Sequence, residues 1–426
     1  MAKSYVKKIF ALGLLIFAVT HTSAQVELGG YFKNYNAVHL NKNYDYLILR
    51  NRLRLNFNYL PSEYALGYAS FDVKNDHIGD HKDLELTLRE MYIDLYFEHY
   101  DLRIGKQQIV WGEADGLFIT DIVNPLDLRE FILADFEDIR MGINSIKAQF
   151  YFGNSRLESI WIPQFVPAKF SAPGETWAFY TPIDEIAKSI PDSLITVVNI
   201  AEPKKRLKNS EYGFRYSTHF WGIDLALSYF HTWDDYPVFR QYYKQTSNPF
   251  IPFSVTIKPE YDRLTVLGGT FASTIGPLVI RGEGALYQKR NFYTENPGDA
   301  DRVVQKDFLN VMVGAEISPG DAFISGQFIQ EKIPDYDDQM VNDEIVNTGT
   351  LLLSKPFLNE TFKPEIFAIF NFTHEDYWVR FSVKYYPIDG VEIILAADIL
   401  GGEKENKLFS QFDENDNVYL KIKYSF

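Results

Sequence analysis

Apolar and polar side chains alternate position by position through segments of about ten residues along this chain. That is the period of a β-strand with two chemically different faces. From Leu49 the apolar set is Leu49, Leu53, Leu55, Phe57 and Tyr59, broken only by Asn51, against Arg50, Arg52, Arg54, Asn56 and Asn58. From Tyr377 it is Tyr377, Val379, Phe381, Val383 and Tyr385 against Arg380, Ser382 and Lys384. The last segment sets Val418, Leu420, Ile422, Tyr424 and Phe426 against Asn417, Tyr419, Lys421, Lys423 and Ser425.

Alternation of this kind fits a soluble β-sandwich or a membrane β-barrel, and four further signals select the barrel. Tight turns such as Leu60-Pro61-Ser62-Glu63, Ser318-Pro319-Gly320-Asp321 and Pro387-Ile388-Asp389-Gly390 alternate with long polar loops, the asymmetry of periplasmic turns and external loops. Tyr and Phe gather at strand ends, where interfacial girdles lie, as in Phe150-Tyr151-Phe152 and Tyr385-Tyr386. The chain runs in strand to Phe426, read as an assembly signal for the barrel-assembly machinery. Finally, a secreted chain without cysteine suits that destination.

The predicted strands are 28–40, 45–59, 64–75, 85–98, 101–110, 141–152, 156–164, 209–219, 222–233, 260–273, 277–289, 306–318, 320–331, 347–355, 364–373, 377–387, 390–400 and 417–426. The fold class is therefore all-β: a single transmembrane antiparallel β-barrel of 18 strands, with 16 as the fallback. Segment 347–355 is the weakest, but an even count needs it. With both ends periplasmic, the long connections 112–140, 165–208, 234–259, 290–305, 332–346 and 401–416 all fall on the outer side.

Composition narrows the destination. Residues 1–24 read as a signal peptide: Lys3, Lys7 and Lys8, an apolar run from Ile9 to Val19, then Thr22-Ser23-Ala24. Residues 25–426 are then the barrel, and losing three lysines and no acid takes the net charge from −15 to −18. Such a chain is a poor partner for nucleic acid. Zero Cys removes disulfides, thiolate chemistry and cysteine metal sites. The expected setting is the bacterial outer membrane, with its lipid and small hydrophilic or anionic solutes as partners and no cofactor or metal.

The stretch Arg103-Ile104-Gly105-Lys106-Gln107-Gln108-Ile109-Val110-Trp111-Gly112, continued by Asp115-Gly116 and by Asp121-Ile122-Val123-Asn124-Pro125-Leu126-Asp127-Leu128-Arg129-Glu130, resembles a widespread, largely uncharacterised family of porin-like outer-membrane proteins. It is more distantly similar to the alginate-export porin. The resemblance implies a channel-forming barrel and carries over no catalytic residue.

On its own chemistry, Asn124 is an N-cap, Pro125 a first helical residue and Asp127 a first-turn acid, which predicts a short helix from Pro125 to about Phe136 in the third external loop. A loop so ordered is read as folding into the lumen and narrowing it, with Asp115, Asp121, Asn124, Pro125, Asp127, Arg129, Glu130 and Asp135 as the constriction set. An external lid or a brace is the alternative. Closure beside the first strand gathers Lys33, Arg50, Arg52, Arg54, Arg380, Lys384, Lys421 and Lys423 on one wall. Facing lipid near the midplane each would cost ~2–4 kcal/mol, so they point inward. They form either a ladder for anionic solutes or a wall balanced by loop acids such as Asp121, Asp127, Glu130 and Asp135.

His77 and His81, four apart among acids, lie in a Gly-containing loop and read as solvated, as does the run Lys204-Lys205-Arg206. No G-x-S-x-G, H-E-x-x-H or phosphate-loop motif occurs. The function read from the sequence is a porin-like channel for small hydrophilic solutes, anionic ones and saccharides among them. Alternatives are a dedicated transporter of an acidic polysaccharide and an outer-membrane barrel hydrolase.

Overall fold

The computed structural model describes residues 25–78, 84–112, 114, 116–245 and 253–426. The leader 1–24, His81 and Asp115 therefore lie outside the described residues. Strands are numbered along the barrel: β1 Gln25–His39, β2 Tyr46–Ser62, β3 Ala65–Asp76, β4 Leu84–Tyr96, β5 Tyr100–Gln107, β6 Ile143–Phe152, β7 Ser155–Ile162, β8 Glu211–Phe220 and β9 Ile223–Trp233. The second half runs β10 Arg263–Ile275, β11 Leu278–Tyr293, β12 Val303–Ile317, β13 Phe323–Lys332, β14 Ile345–Ser354, β15 Phe362–Asn371, β16 Asp376–Tyr385, β17 Val391–Gly402 and β18 Asn417–Ser425.

Every strand pairs antiparallel with its sequence neighbours, and β18 pairs with β1 from Tyr31↔Ser425 to His39↔Asn417, closing an 18-stranded barrel. Phe426 extends the seam by exchanging backbone hydrogen bonds with Gly30, both 3.0 Å. The weakly patterned segment 347–355 is β14, hydrogen-bonded on both sides. Closure matters because an open sheet edge would leave unpaired N–H and C=O groups in hydrocarbon.

The alternation sorts side chains by face. Leu28, Met91, Val313 and Leu395 point outward and are more than half exposed, as lipid-facing groups must be in a bare barrel, whereas inward Ile160 and Ile369 are buried. Asn51, which breaks the apolar set of β2, is outward but not isolated: Asn34 donates to it (2.9 Å) and Asn36 to Asn34 (2.6 Å).

Connections on the turn side are short, as at 153–154 and 276–277, where Gly153 and Gly276 supply the left-handed φ of 60° that tight turns demand. The opposite side carries the long segments 108–142, 163–210, 234–262 and 403–416. Part of this side is covered by a small sheet in which Phe253–Glu260 pairs antiparallel with Val238–Gln245 and parallel with Ile195–Val197. Ile186 of the helix Pro182–Ser189 packs on Val255 and Ile257 of that sheet.

Candidate functional site: the third external loop and the seam wall

The third external loop, residues 108–142 (L3 below), runs through the barrel interior. Its first half is anchored opposite the seam. The Asn124 carboxamide accepts from the Ile109 N–H (2.6 Å) and donates to the Met141 carbonyl (2.7 Å), tying the two legs of the loop together. The Trp111 indole donates to Glu158 of β7 (2.5 Å) and stands edge-on to Phe230 of β9. On β11, Glu283 accepts from both the N–H and the hydroxyl of Thr120 (2.6 Å each), and the Tyr287 hydroxyl donates to the Ile119 carbonyl (2.7 Å). Ile119 packs among Leu264, Met312 and Ile329, three different wall strands. Gly116 sits where an added Cβ would meet the Phe367 ring of β15 at 2.5 Å, so the loop backbone reaches that wall too.

The second half crosses to the seam. Ile132 accepts from the Arg380 guanidinium (2.7 Å) through its carbonyl. Leu133 packs with Tyr35, Ala396 and Tyr419, and Phe131 lies against Trp177, Phe179, Phe409 and Phe412, which seal this part of the loop from the outer side.

Helical structure in L3 is one turn, Phe136–Ile139, preceded by a 3-10 turn at Phe131–Leu133; the helix expected from Pro125 is absent. Tertiary partners took the groups it needed. The Pro125 carbonyl accepts from Met141, the Asp127 N–H donates to Ile139 and the Leu128 N–H to Lys169, so the backbone at 125–128 is extended and bridged on both sides. The Asn124 side chain is spent on Ile109 and Met141 rather than on a helix start.

The seam wall assembles all eight predicted cations, each within 4 Å of a carboxylate. Asp135 joins Lys33 (2.5 Å) and Lys421 (2.6 Å). Glu130 joins Arg50 (2.7 Å), which also meets Asp76 of β3. Asp138 receives Arg52, Arg54 (2.7 Å) and Arg89 (3.0 Å), and Asp72 takes Arg52 (2.5 Å) and Arg54 (2.8 Å). Arg380 pairs with Asp398 (2.7 Å), Lys384 with Glu365 (3.1 Å) and Lys423 with Glu392 (3.4 Å). Of the four loop acids named for balancing the wall, only Glu130 and Asp135 do so; Asp121 pairs with Arg140 and Asp127 with Arg129, both within L3.

Sequence reasoning passed over Asp72, Asp76, Asp138, Glu365, Glu392 and Asp398, which carry the rest of the compensation. For the strand acids the signal was register, as where Asp72 and Asp76 share the inward face of β3 opposite Arg54 and Arg50, whereas Asp138 lies on L3 and no strand register points to it.

Burial alone would raise the loop carboxyls. For Glu130 the charges of Arg50 and Lys74 outweigh it, for Asp135 those of Lys421 and Lys33, and for Asp138 those of Arg52 and Arg54, so all three lie below the usual carboxylate range. A depressed folded pKa contributes stability above the unfolded value near ~4 and loses it as pH falls through the folded one. The loop's anchorage is thus steady across neutral pH.

Glu137 differs. It is exposed at the tip of the one-turn helix, and its carboxylate has no hydrogen-bond or ion-pair partner among the described residues. It lines a cavity of about 360 Å³ on the turn side of L3, shared with Tyr31, Arg54, Lys384, Glu392 and Lys423. Ligand pockets run to ~300–1,000 Å³, so the space suits a small solute.

A closed barrel that is apolar outside, charged within and crossed by its own third loop is a porin-like outer-membrane β-barrel. The sequence places it further: residues 20–386 match the family model described as "Protein of unknown function (DUF1302)", and the chain belongs to that family. No curated protein matches it by sequence. Among solved structures it is similar to OccAB3 of Acinetobacter baumannii, at 9% identity and a TM-score of 0.51 over 95% of this chain and 99% of that one. It is also similar to OmpT, an outer membrane protein of Vibrio cholerae, at 10% identity and a TM-score of 0.42 over 95% of this chain and 100% of that one. A Rh. blastica porin variant gives 11%, 0.44, 94% and 100% in the same order.

Proposed function

We propose that this protein is a constricted diffusion channel for small hydrophilic solutes, with L3 forming the constriction. The observation that carries the reading is the passage of L3 across the lumen, bonded to β7, β11, β16 and the seam, with solute-sized space beneath it. Because each of the eight seam cations already has a carboxylate, uncharged or charge-balanced solutes, saccharides among them, fit this wall better than a strong polyanion. An anion ladder needs free cations, and pairing removes most of their outward field.

The test is a planar-bilayer recording in a salt gradient. The parent should conduct with weak ion selectivity. Glu137→Gln removes the uncompensated carboxylate and should move the reversal potential towards anions. The difference should fade near 1 M salt, where screening shortens to ~3 Å. Absence of any conductance overturns the channel reading. Conductance with strong anion selectivity in the parent restores the ladder, and an unchanged reversal potential in the variant places Glu137 off the solute path.

A further inference from the structure

We propose that the outer rim of β8–β10 is a binding site for the phosphorylated headgroup of a glycolipid in the outer leaflet. Five cations meet there: Lys204, Lys205, Arg206 and Lys208, all exposed, and Arg263 at the start of β10. The Asn209 side chain donates to the Lys204 carbonyl (2.7 Å), folding the run into one compact turn directly above β8. Arg263 fastens this turn to the barrel, donating to the carbonyls of Ser210 (3.1 Å) and Lys208 (3.0 Å) while stacking 4.2 Å above the Trp233 ring. The four exposed cations of the turn form no ion pair among the described residues. Nearby Glu211 is turned inward, buried against Thr232 and Trp233, which leaves exposed Glu202 as the acid closest in sequence.

The patch lies on the membrane's side of the rim. Arg263 shares its face with Leu267 and Phe271, which are lipid-exposed, and register sets it beside Trp233. One pleat below, Tyr212, His231 and Thr265 stand side by side, and the Tyr212 ring is 6.2 Å from that of Tyr229. This is an aromatic belt of the kind that marks the headgroup level. Leu207, in the middle of the basic run, is 76% exposed. An apolar side chain held out between cations beside an aromatic belt suits a ligand with phosphates above and acyl chains below, which an inorganic anion or a soluble solute lacks. In a chain of net charge −15 such a focus of positive charge attracts anionic headgroups locally.

The proposal stands apart from the channel reading and is tested on the full-length protein in detergent by native mass spectrometry. The probe is a bisphosphorylated, multiply acylated glucosamine disaccharide. The parent should retain it, retain its dephosphorylated form much less, and keep it in excess inorganic phosphate. Replacing Lys204, Lys205, Arg206 and Lys208 with Gln should weaken retention by at least about tenfold, since each membrane-proximal cation contributes roughly a fivefold factor. Equal retention of the two forms by the parent overturns the proposal without any variant. So does undiminished retention by a variant that still shows the folded, heat-modifiable band. Displacement by phosphate alone would make the patch a simple anion site and would also overturn it.

Discussion

Replacing residues 124–137 with a short Gly/Ser linker is expected to raise single-channel conductance several-fold and to shift selectivity towards anions. Both effects follow from the same bonds. The excised segment carries Phe131–Leu133, which packs against the seam wall, and Glu130 and Asp135, which neutralise Arg50, Lys33 and Lys421. Without it the lumen loses its crossing segment, Lys33 and Lys421 lose Asp135, and Arg50 keeps Asp76 as its one carboxylate. The deletion leaves the strand pairing of the barrel intact, because each strand is hydrogen-bonded to two others. Recording conductance and reversal potential together checks the prediction, and unchanged conductance in a folded variant would place L3 outside the path.

Substituting Arg50, Arg52 and Arg54 together with Gln is expected to move selectivity the opposite way, towards cations, and to loosen L3. These arginines hold Glu130 and Asp138 on the loop and Asp72 and Asp76 on β3. Removing one partner of a buried ion pair costs about 3–5 kcal/mol where the other charge stays buried, a cost that lumenal water reduces here. The heat-modifiable transition should therefore fall to a lower temperature, conductance should rise as L3 loses its anchors, and the selectivity change should shrink at high salt. A parent-like transition together with parent-like conductance would mean that the arginines do not hold the loop.

The barrel was legible in the sequence because its cause is local. Lipid on one side and a polar lumen on the other force a two-residue period, and all eighteen strands fall where that period runs, β14 among them. The inward aim of Arg50, Arg52 and Arg54 follows from the same rule. The interior of L3 was not legible, because its conformation is decided by groups distant in sequence. Asn124 and Pro125 carry a sound helix-start signature, but the Asn124 side chain and the backbone at 125–128 are claimed by Ile109, Met141, Ile139 and Lys169. Charge pairing was legible in part. The tight turn between β2 and β3 sets Arg50 opposite Asp76 and Arg54 opposite Asp72, whereas Lys33 and Asp135 are 102 residues apart and meet only once the loop has crossed the barrel.

The central claim, that the tip of L3 stands in the solute path, is tested most directly by thiol modification. The chain has no cysteine, so Glu137→Cys creates a single reactive site. Glu137 is exposed at the loop tip and its carboxylate forms no ion pair among the described residues, so the substitution removes no anchor. Single channels of this variant should show one downward step in conductance when a bulky methanethiosulfonate is added, and recovery when a reductant cleaves it off. A channel that is demonstrably modified yet conducts as before would contradict the account.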